Sequence, residues 1–196
     1  METPVEQIRR YAKSQLGESG SHGIDHTERV TRLCRIIGPQ EGADMDILIP
    51  AALLHDIARP LEKEQGLSHE TEGARMAEAF LVSIHYDSCL IPQICAAIRT
   101  HRFRSSEKPG SPEAKILSDA DKLDALGAVG IARTFMRAAE HGGNMEDAIE
   151  HFHDKLLKLK DLMYTESGRT IANERHALLE LFLKALAEET DNSLSL

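Results

Sequence analysis

Tryptophan is absent from this 196-residue chain, and aromatic residues make up only 4% of it. The interior is therefore expected to be aliphatic. Cysteine is nearly as scarce: Cys34, Cys89 and Cys95 are odd in number and include no CxxC pair. That leaves no paired-thiolate zinc site, and the three read as buried or inert thiols of a reducing compartment. No apolar run is long enough to span a bilayer, and the start, Met1-Glu2-Thr3-Pro4, has neither a basic n-region nor an apolar h-region. The expected location is the cytoplasm. Positive charge is in the minority, 23 Lys and Arg against 32 Asp and Glu, for a formal net charge of −9. This balance argues against a generic binder of nucleic acid or anionic membrane, while leaving room for a local basic pocket. A GxSxG elbow, a GxxxxGK[ST] loop and an HExxH pair are also missing, which removes the commonest hydrolytic machineries.

What is present suits a globular chain. Hydrophobic residues are 41% and charged residues 28% of the sequence, ordinary values for such a protein. The length fits a single domain, residues 1–196, able to bury its own core. Almost every segment carries a helical apolar period, and no alternating run bounded by hairpin signals stands anywhere. The expected fold class is all-α, a compact helical bundle.

Taken in order, the first helix runs from Pro4 to Gly17, with Val5, Ile8, Ala12 and Leu16 on one stripe, and a loop follows to Gly23. A second helix starts with Asp25 as N-cap and Glu28 three residues on, and ends at Gly38-Pro39. Its inner face carries His26, Val30, Leu33 and Ile37. A third covers about Asp46 to Ala58, and Arg59 to Gly66 reads as a charged loop. The next helix is capped near Ser68 and stops near Tyr86; Pro92 opens another, carrying Ile94, Ile98 and His101. Ser111-Pro112-Glu113 is a strong helix start and leads to Ile116, Leu117, Asp121, Leu123 and Leu126. Gly127 and Gly130 allow close packing or a break before a helix over Ile131–His141. Two amphipathic helices, about Met145–Leu162 and Thr170–Glu189, are expected to pack on the core (residues 144–190), with Asp191 to Leu196 frayed.

The pivotal stretch is the third helix, apolar almost all the way round and ending in His55-Asp56. Such a helix belongs in the middle of the protein. An imidazole and a carboxylate buried there need partners. A divalent metal would serve both; so would a plain helix C-terminus, with His55 capping carbonyls and Asp56 beginning a turn. Taken alone, the stretch admits either. His26 and Asp121 are attached to apolar helix faces in the same way. Two histidines and two aspartates suit a catalytic ion, and the imidazoles favour Mn, Fe, Co, Ni or Zn over metals that take oxygen alone. Four protein ligands leave an octahedral ion open positions for water and substrate.

Three segments, His22-Gly23-Ile24-Asp25-His26-Thr27-Glu28-Arg29-Val30, Ala52-Leu53-Leu54-His55-Asp56-Ile57 and Asp119-Ala120-Asp121-Lys122-Leu123-Asp124-Ala125-Leu126-Gly127, together resemble the HD-domain phosphohydrolase superfamily. The resemblance covers roughly Ser21 to Arg133, a catalytic core over 21–133. It implies an all-α, metal-dependent hydrolase of phosphoesters or phosphoanhydrides, acting on a nucleotide or small phosphorylated metabolite. By that resemblance His26, His55, Asp56 and Asp121 are the ligands of a divalent ion (Mn, Mg, Co, Ni, Fe or Zn). His69 and His101 resemble positions that bind a second ion bridged by Asp56; otherwise they are helix-terminal histidines satisfied by backbone and water. The arrangement expected is one well-occupied metal, with His69 and His101 donating to substrate phosphate. Asp56 is the candidate acceptor for the proton of the attacking water, and Glu72, with Glu70, a further acid–base candidate. Arg29, Arg102 and Lys122, with Arg99, Arg104 and Lys108 nearby, are candidates for phosphate, their alternative being solvated or locally paired charge. His85, His141, His151, His153 and His176 read as surface residues. Two other functions are carried alongside: a di-iron oxygenase on a related helical fold, and an inactive HD-type ligand-binding module. No membrane partner is expected, and the C-terminal helices leave a homodimer open.

Overall fold

The computed structural model describes residues 2–16, 23–102 and 107–190, with the backbone alone at Lys63. The expected loop before Gly23, Arg104 and the tail from Asp191 lie outside the described residues. The helices are α1 (Pro4–Leu16), α2 (Ile24–Gln40), α3 (Met45–Leu54), α4 (Arg59–Gln65), α5 (His69–Ser83), α6 (Ile91–Thr100), α7 (Pro112–Leu123), α8 (Gly127–Glu140), α9 (Met145–Asp154) and α10 (Glu166–Thr190). A 3-10 helix, Leu156–Leu162, lies between the last two. The described residues contain no strand, as the absence of alternating runs requires. They divide into two compact units, Met1–Asp121 and Lys122–Leu196.

In the first unit α3 is the centre. Every residue from Ile47 to Leu54 is buried, and each of its large aliphatic side chains is worth roughly 1.5–3 kcal/mol there. Helices α1, α2, α5 and α6 pack around it. Its start is held by hydrogen bonds: Asp44 Oδ1 accepts from the Asp46 N–H at 2.9 Å, and the Asp44 N–H donates to the Glu113 carboxylate of α7 at 3.0 Å. The Tyr86 hydroxyl, beyond the end of α5, donates to the Asp46 carbonyl at 2.7 Å. The α1 stripe faces inward through Ile8, Ala12 and Leu16, and Tyr11 stacks on Phe80 of α5 at 3.9 Å.

Several boundaries differ from the sequence expectation, among them the end of α3, at Leu54 and not near Ala58. Helix α2 starts two residues earlier, with Gly23 in place of Asp25 as an N-cap that makes no side-chain bond, and Glu28 pairs with Arg9 at 2.7 Å instead of closing a capping box. It also runs through Gly38-Pro39. A methyl at position 38 would come within 2.6 Å of Met45 Sδ and 2.8 Å of Leu48 Cδ2, so glycine is there for helix contact, not termination. Pro39 falls in the last turn, where the missing N–H costs only a bond to the carbonyl of exposed Arg35. Lastly, the charged stretch after Asp56 is the helix α4. Pro60 sits in its first turn, and Gly66, at φ 70°, donates its N–H to the Glu62 carbonyl at 3.0 Å, a left-handed C-cap.

In the second unit, α8 starts at Gly127, four residues before the expected start, after a turn in which Arg133 reaches Asp124 at 2.6 Å and Arg175 donates to the Leu123 carbonyl at 2.6 Å. The segment expected as one helix from Met145 splits into α9 and the 3-10 helix. Its interior is not purely aliphatic: Phe135, Phe152 and Phe182 meet with ring centroids 5.8–6.0 Å apart. His176 is buried at 5% exposure, with Nε2 3.2 Å from Glu180, so it is no surface residue. Cys34 and Cys95 are buried and Cys89 is exposed, all as free thiols. No helix among the described residues is long and apolar enough to cross a membrane.

Candidate metal centre

The first unit brings its ligand-type side chains together from the ends of helices. Helix α3 stops at Leu54 and His55 is its C-cap. The His55 Nδ1–H donates to the Ala52 carbonyl at 2.7 Å; because a carbonyl only accepts, this assigns the proton to Nδ1 and leaves a lone pair on Nε2. The capping reading is thus correct for one nitrogen and leaves the other available. His101 repeats the device at the end of α6, donating from Nδ1 to the Ile98 carbonyl at 2.6 Å, while its own carbonyl accepts from Ser118 of α7 at 2.9 Å. His26 stands in the first turn of α2, His69 is the first residue of α5 after the Ser68 cap, and Asp121 lies on α7.

Asp56 is the hub. Its Oδ2 lies 3.6 Å from His26 Nε2 and 3.7 Å from His55 Nε2. Its Oδ1 lies 3.4 Å from His69 Nε2 and 3.5 Å from His101 Nε2. His26 Nε2 is also 3.3 Å from His55 Nε2 and 3.3 Å from Asp121 Oδ1. All four imidazoles and Asp56 are buried, whereas the Asp121 side chain is 22% exposed and marks the open side. The four residues expected as ligands therefore converge. His69 and His101 also turn toward Asp56, as the alternative of a second ion bridged by that aspartate would have them. Among the described residues, neither His69 nitrogen nor His101 Nε2 makes a hydrogen bond of good geometry, although carboxylates lie close to all three. Converging buried nitrogens and carboxylate oxygens of this kind fit a divalent cation, and His26, His55 and Asp121, or His55, Asp56 and His101, could hold one.

Electrostatics agree with that fit. Burial pushes the His55 pKa down to about 4 against the pull of Asp56, so its imidazole is neutral near pH 7. Burial also lowers His69, outweighing Asp56. At His101 burial works the same way, but the Asp56 and Asp121 carboxylates prevail and raise its pKa. Burial alone would raise Asp121; His26 beside it holds the carboxyl well below the usual range.

Behind His69 stands a second acidic cluster. His69 Nδ1 is 3.1 Å from Glu62 and 3.4 Å from Glu70. Arg59 Nε donates to Asp56 Oδ1 at 2.9 Å and its Nη1 to Glu62 at 2.9 Å. Arg102 Nη1 donates to Glu62 at 3.0 Å and Glu70 at 3.1 Å. Arg59 and Glu62 escaped the sequence reading because α4 lacks an apolar period; Pro60 and Gly66, one at each end, were the signal to use. Glu72 is a correction. Its carboxylate takes the Arg75 guanidinium one turn on, at 3.0 Å from Nε, and Glu70 is the acid turned to the cluster. Of the basic candidates, Arg29 is half-buried one turn past His26, and Arg99 and Lys108 are exposed. Lys122, in the second unit, is buried with its ammonium 4.6 Å from the Tyr164 ring centroid.

Comparison with known proteins identifies the family. The HD domain family model matches residues 23–126. The chain is 37% identical over 190 residues to the uncharacterized protein YpgQ of Bacillus subtilis (strain 168), covering 94% of this chain and 93% of that one. It resembles the crystal structure of Bacillus subtilis YpgQ in complex with ADP with a TM-score of 0.82 at 34% identity, covering 96% of this chain and 98% of that one. A predicted HD superfamily hydrolase from an uncultured Thermotogales bacterium superposes with a TM-score of 0.74 at 31% identity, over 93% of this chain and 91% of that one. The Ribonuclease Y of Sulfurovum sp. is 31% identical over 106 residues, but these make up only 19% of that protein. With the family model spanning more than half of its length and carrying the histidines and aspartates that the fold gathers, the chain belongs to the HD-domain family.

Proposed function

We propose that this protein is a metal-dependent phosphohydrolase that acts on a nucleotide or another small phosphorylated metabolite. The observation that carries the reading is the convergence on Asp56 Oδ2: His26 and His55 at 3.6 and 3.7 Å, with Asp121 3.3 Å beyond His26. These four side chains would hold the ion, whose identity among Mn, Mg, Co, Ni, Fe and Zn we leave to metal analysis. When bound, such an ion acidifies water and polarises a phosphoryl oxygen as a Lewis acid.

The chain's own residues supply the rest. The backbone carbonyl of Ala52 fixes the ring of His55 and keeps its Nε2 proton-free. Asp121, the exposed member, stands where water and substrate enter, and Asp56 is the acceptor we assign for the proton of the attacking water. We assign Arg29, one turn from His26, to phosphate charge. Arg102 is bound to two carboxylates, and we assign it to holding Glu62 and Glu70 in place. The ADP complex of YpgQ supports a nucleotide as ligand.

The test is a screen of metal-stripped and Mn²⁺-reloaded protein against nucleotides and sugar phosphates. Metal-dependent release of phosphate or pyrophosphate is expected. Bound iron with oxygen consumption and no phosphorus release would replace this reading with an oxygenase.

A further inference from the structure

We infer that the guanidinium of Arg59 is a built-in substitute for a second metal ion and restricts this centre to one. The inference rests on the reading of the centre as a metal site and adds the residue that sets its stoichiometry. On the Oδ1 side of Asp56 stand His69 and His101, 3.4 and 3.5 Å away, with Glu62 and Glu70 at 3.1 and 3.4 Å from the far nitrogen of His69. The Asp56 oxygen and the two imidazole nitrogens facing it are donors of the kind a divalent ion takes, and Glu62, Glu70 and the far nitrogen of His69 form a separate group behind them. The place is already filled. Arg59 bonds Asp56 Oδ1 and Glu62 Oε2, each at 2.9 Å, closer than either imidazole comes to the same Asp56 oxygen.

Arg59 reaches this position by local construction. It is the first residue of α4, and its N–H donates to the Asp56 carbonyl at 2.9 Å, which folds the chain back over that aspartate. Pro60 fixes the helix start, and Glu62 follows one turn on. The Arg59 side chain is only 19% exposed, so little water screens its charge. Arg59, shared between Asp56 and Glu62, and Arg102, shared between Glu62 and Glu70, bring two positive charges to this side, and a second divalent cation would meet both guanidinium groups. The Oδ2 side, with Asp121 and the lone pair of His55, is left to the single ion.

Metal content after Mn²⁺ loading and desalting, together with calorimetric titration of the metal-free protein, tests this. The wild type should bind one equivalent. Arg59→Met, uncharged and of similar length, should bind two, and the second should give the electron paramagnetic signature of an exchange-coupled Mn²⁺ pair. Arg59→Lys, which keeps the charge, should stay at one. Arg59→Gln serves as a second neutral variant should Arg59→Met fail to reach wild-type helical content. Two equivalents in the wild type overturn the inference whatever the variants do. One equivalent in the wild type and in a folded neutral variant overturns the inference alone, whereas no metal in the wild type overturns the reading of the site itself.

Discussion

Asp56 faces four imidazoles with its two oxygens while its neighbours neutralise one another in pairs, and single substitutions read out each part of that arrangement. Asp121→Asn preserves shape and removes one negative charge from the Oδ2 side. Metal occupancy should be lost and turnover should fall by at least about 100-fold, with helical circular dichroism unchanged; retained occupancy would remove Asp121 from the ligand set. Glu70 offers a test by pH. Burial favours its neutral form, but its own backbone N–H, the Ser68 hydroxyl, His69 and Arg102 prevail and lower its pKa to about 2. A carboxyl depressed in the folded state adds stability above its unfolded value, near 4.5, and that contribution disappears as pH falls from 4.5 toward 2. Urea unfolding of the metal-free protein should therefore lose on the order of 1–3 kcal/mol through this window on account of Glu70. Glu70→Gln should flatten that part of the profile.

At the scale of the element, helix ends carry the site, and two of them hold testable backbone choices. His85, just past the Ile84 C-cap of α5, adopts φ 56°, and the Tyr86 N–H donates to the Leu81 carbonyl at 3.0 Å, so a non-glycine residue occupies the left-handed position after the cap. The left-handed conformation costs a side-chain-bearing residue about 1 kcal/mol. His85→Gly, at an exposed position outside the centre, should raise the melting temperature slightly with metal binding unchanged. In α8 the opposite holds. A methyl at Gly130 would run into the backbone carbonyl of Ala125, which cannot step aside as a flexible side chain can. Gly130→Ala should destabilise the protein by roughly 2–4 kcal/mol, and a neutral result in thermal unfolding would show that the turn at 124–126 is freer to move than its packing suggests.

For the whole molecule, an ion that binds only the folded state stabilises it by mass action. At 100 times its Kd that amounts to about 2.7 kcal/mol. Chelation should therefore lower the melting temperature of the wild type by several degrees and leave Asp121→Asn where it was. Equal shifts in both proteins would place the metal effect elsewhere.

The all-helical fold and the four residues that gather at Asp56 Oδ2 were legible in the sequence. The fold is written in local terms, the apolar period that buries Ile8, Ala12 and Leu16 on α1 and the unbroken apolar run of α3. Apolar faces, by contrast, only made His26, His55-Asp56 and Asp121 candidates, and the resemblance of their three segments to the HD family made them a set. The other half of the centre was legible only in part. The resemblance offered His69 and His101 beside Asp56 as one alternative, but no local pattern says which way they face, because an imidazole turns according to which carbonyl or carboxylate its other nitrogen meets, Ile98 for one and the Glu62–Glu70 pair for the other. Arg59 and Glu62 lay in a segment whose polarity resembles that of any solvated loop, and Glu70 could not be told from Glu72 until α5 had a direction. Periodicity determines which face of a helix is buried; which charges then meet across the gap between helices is settled only when those faces have packed.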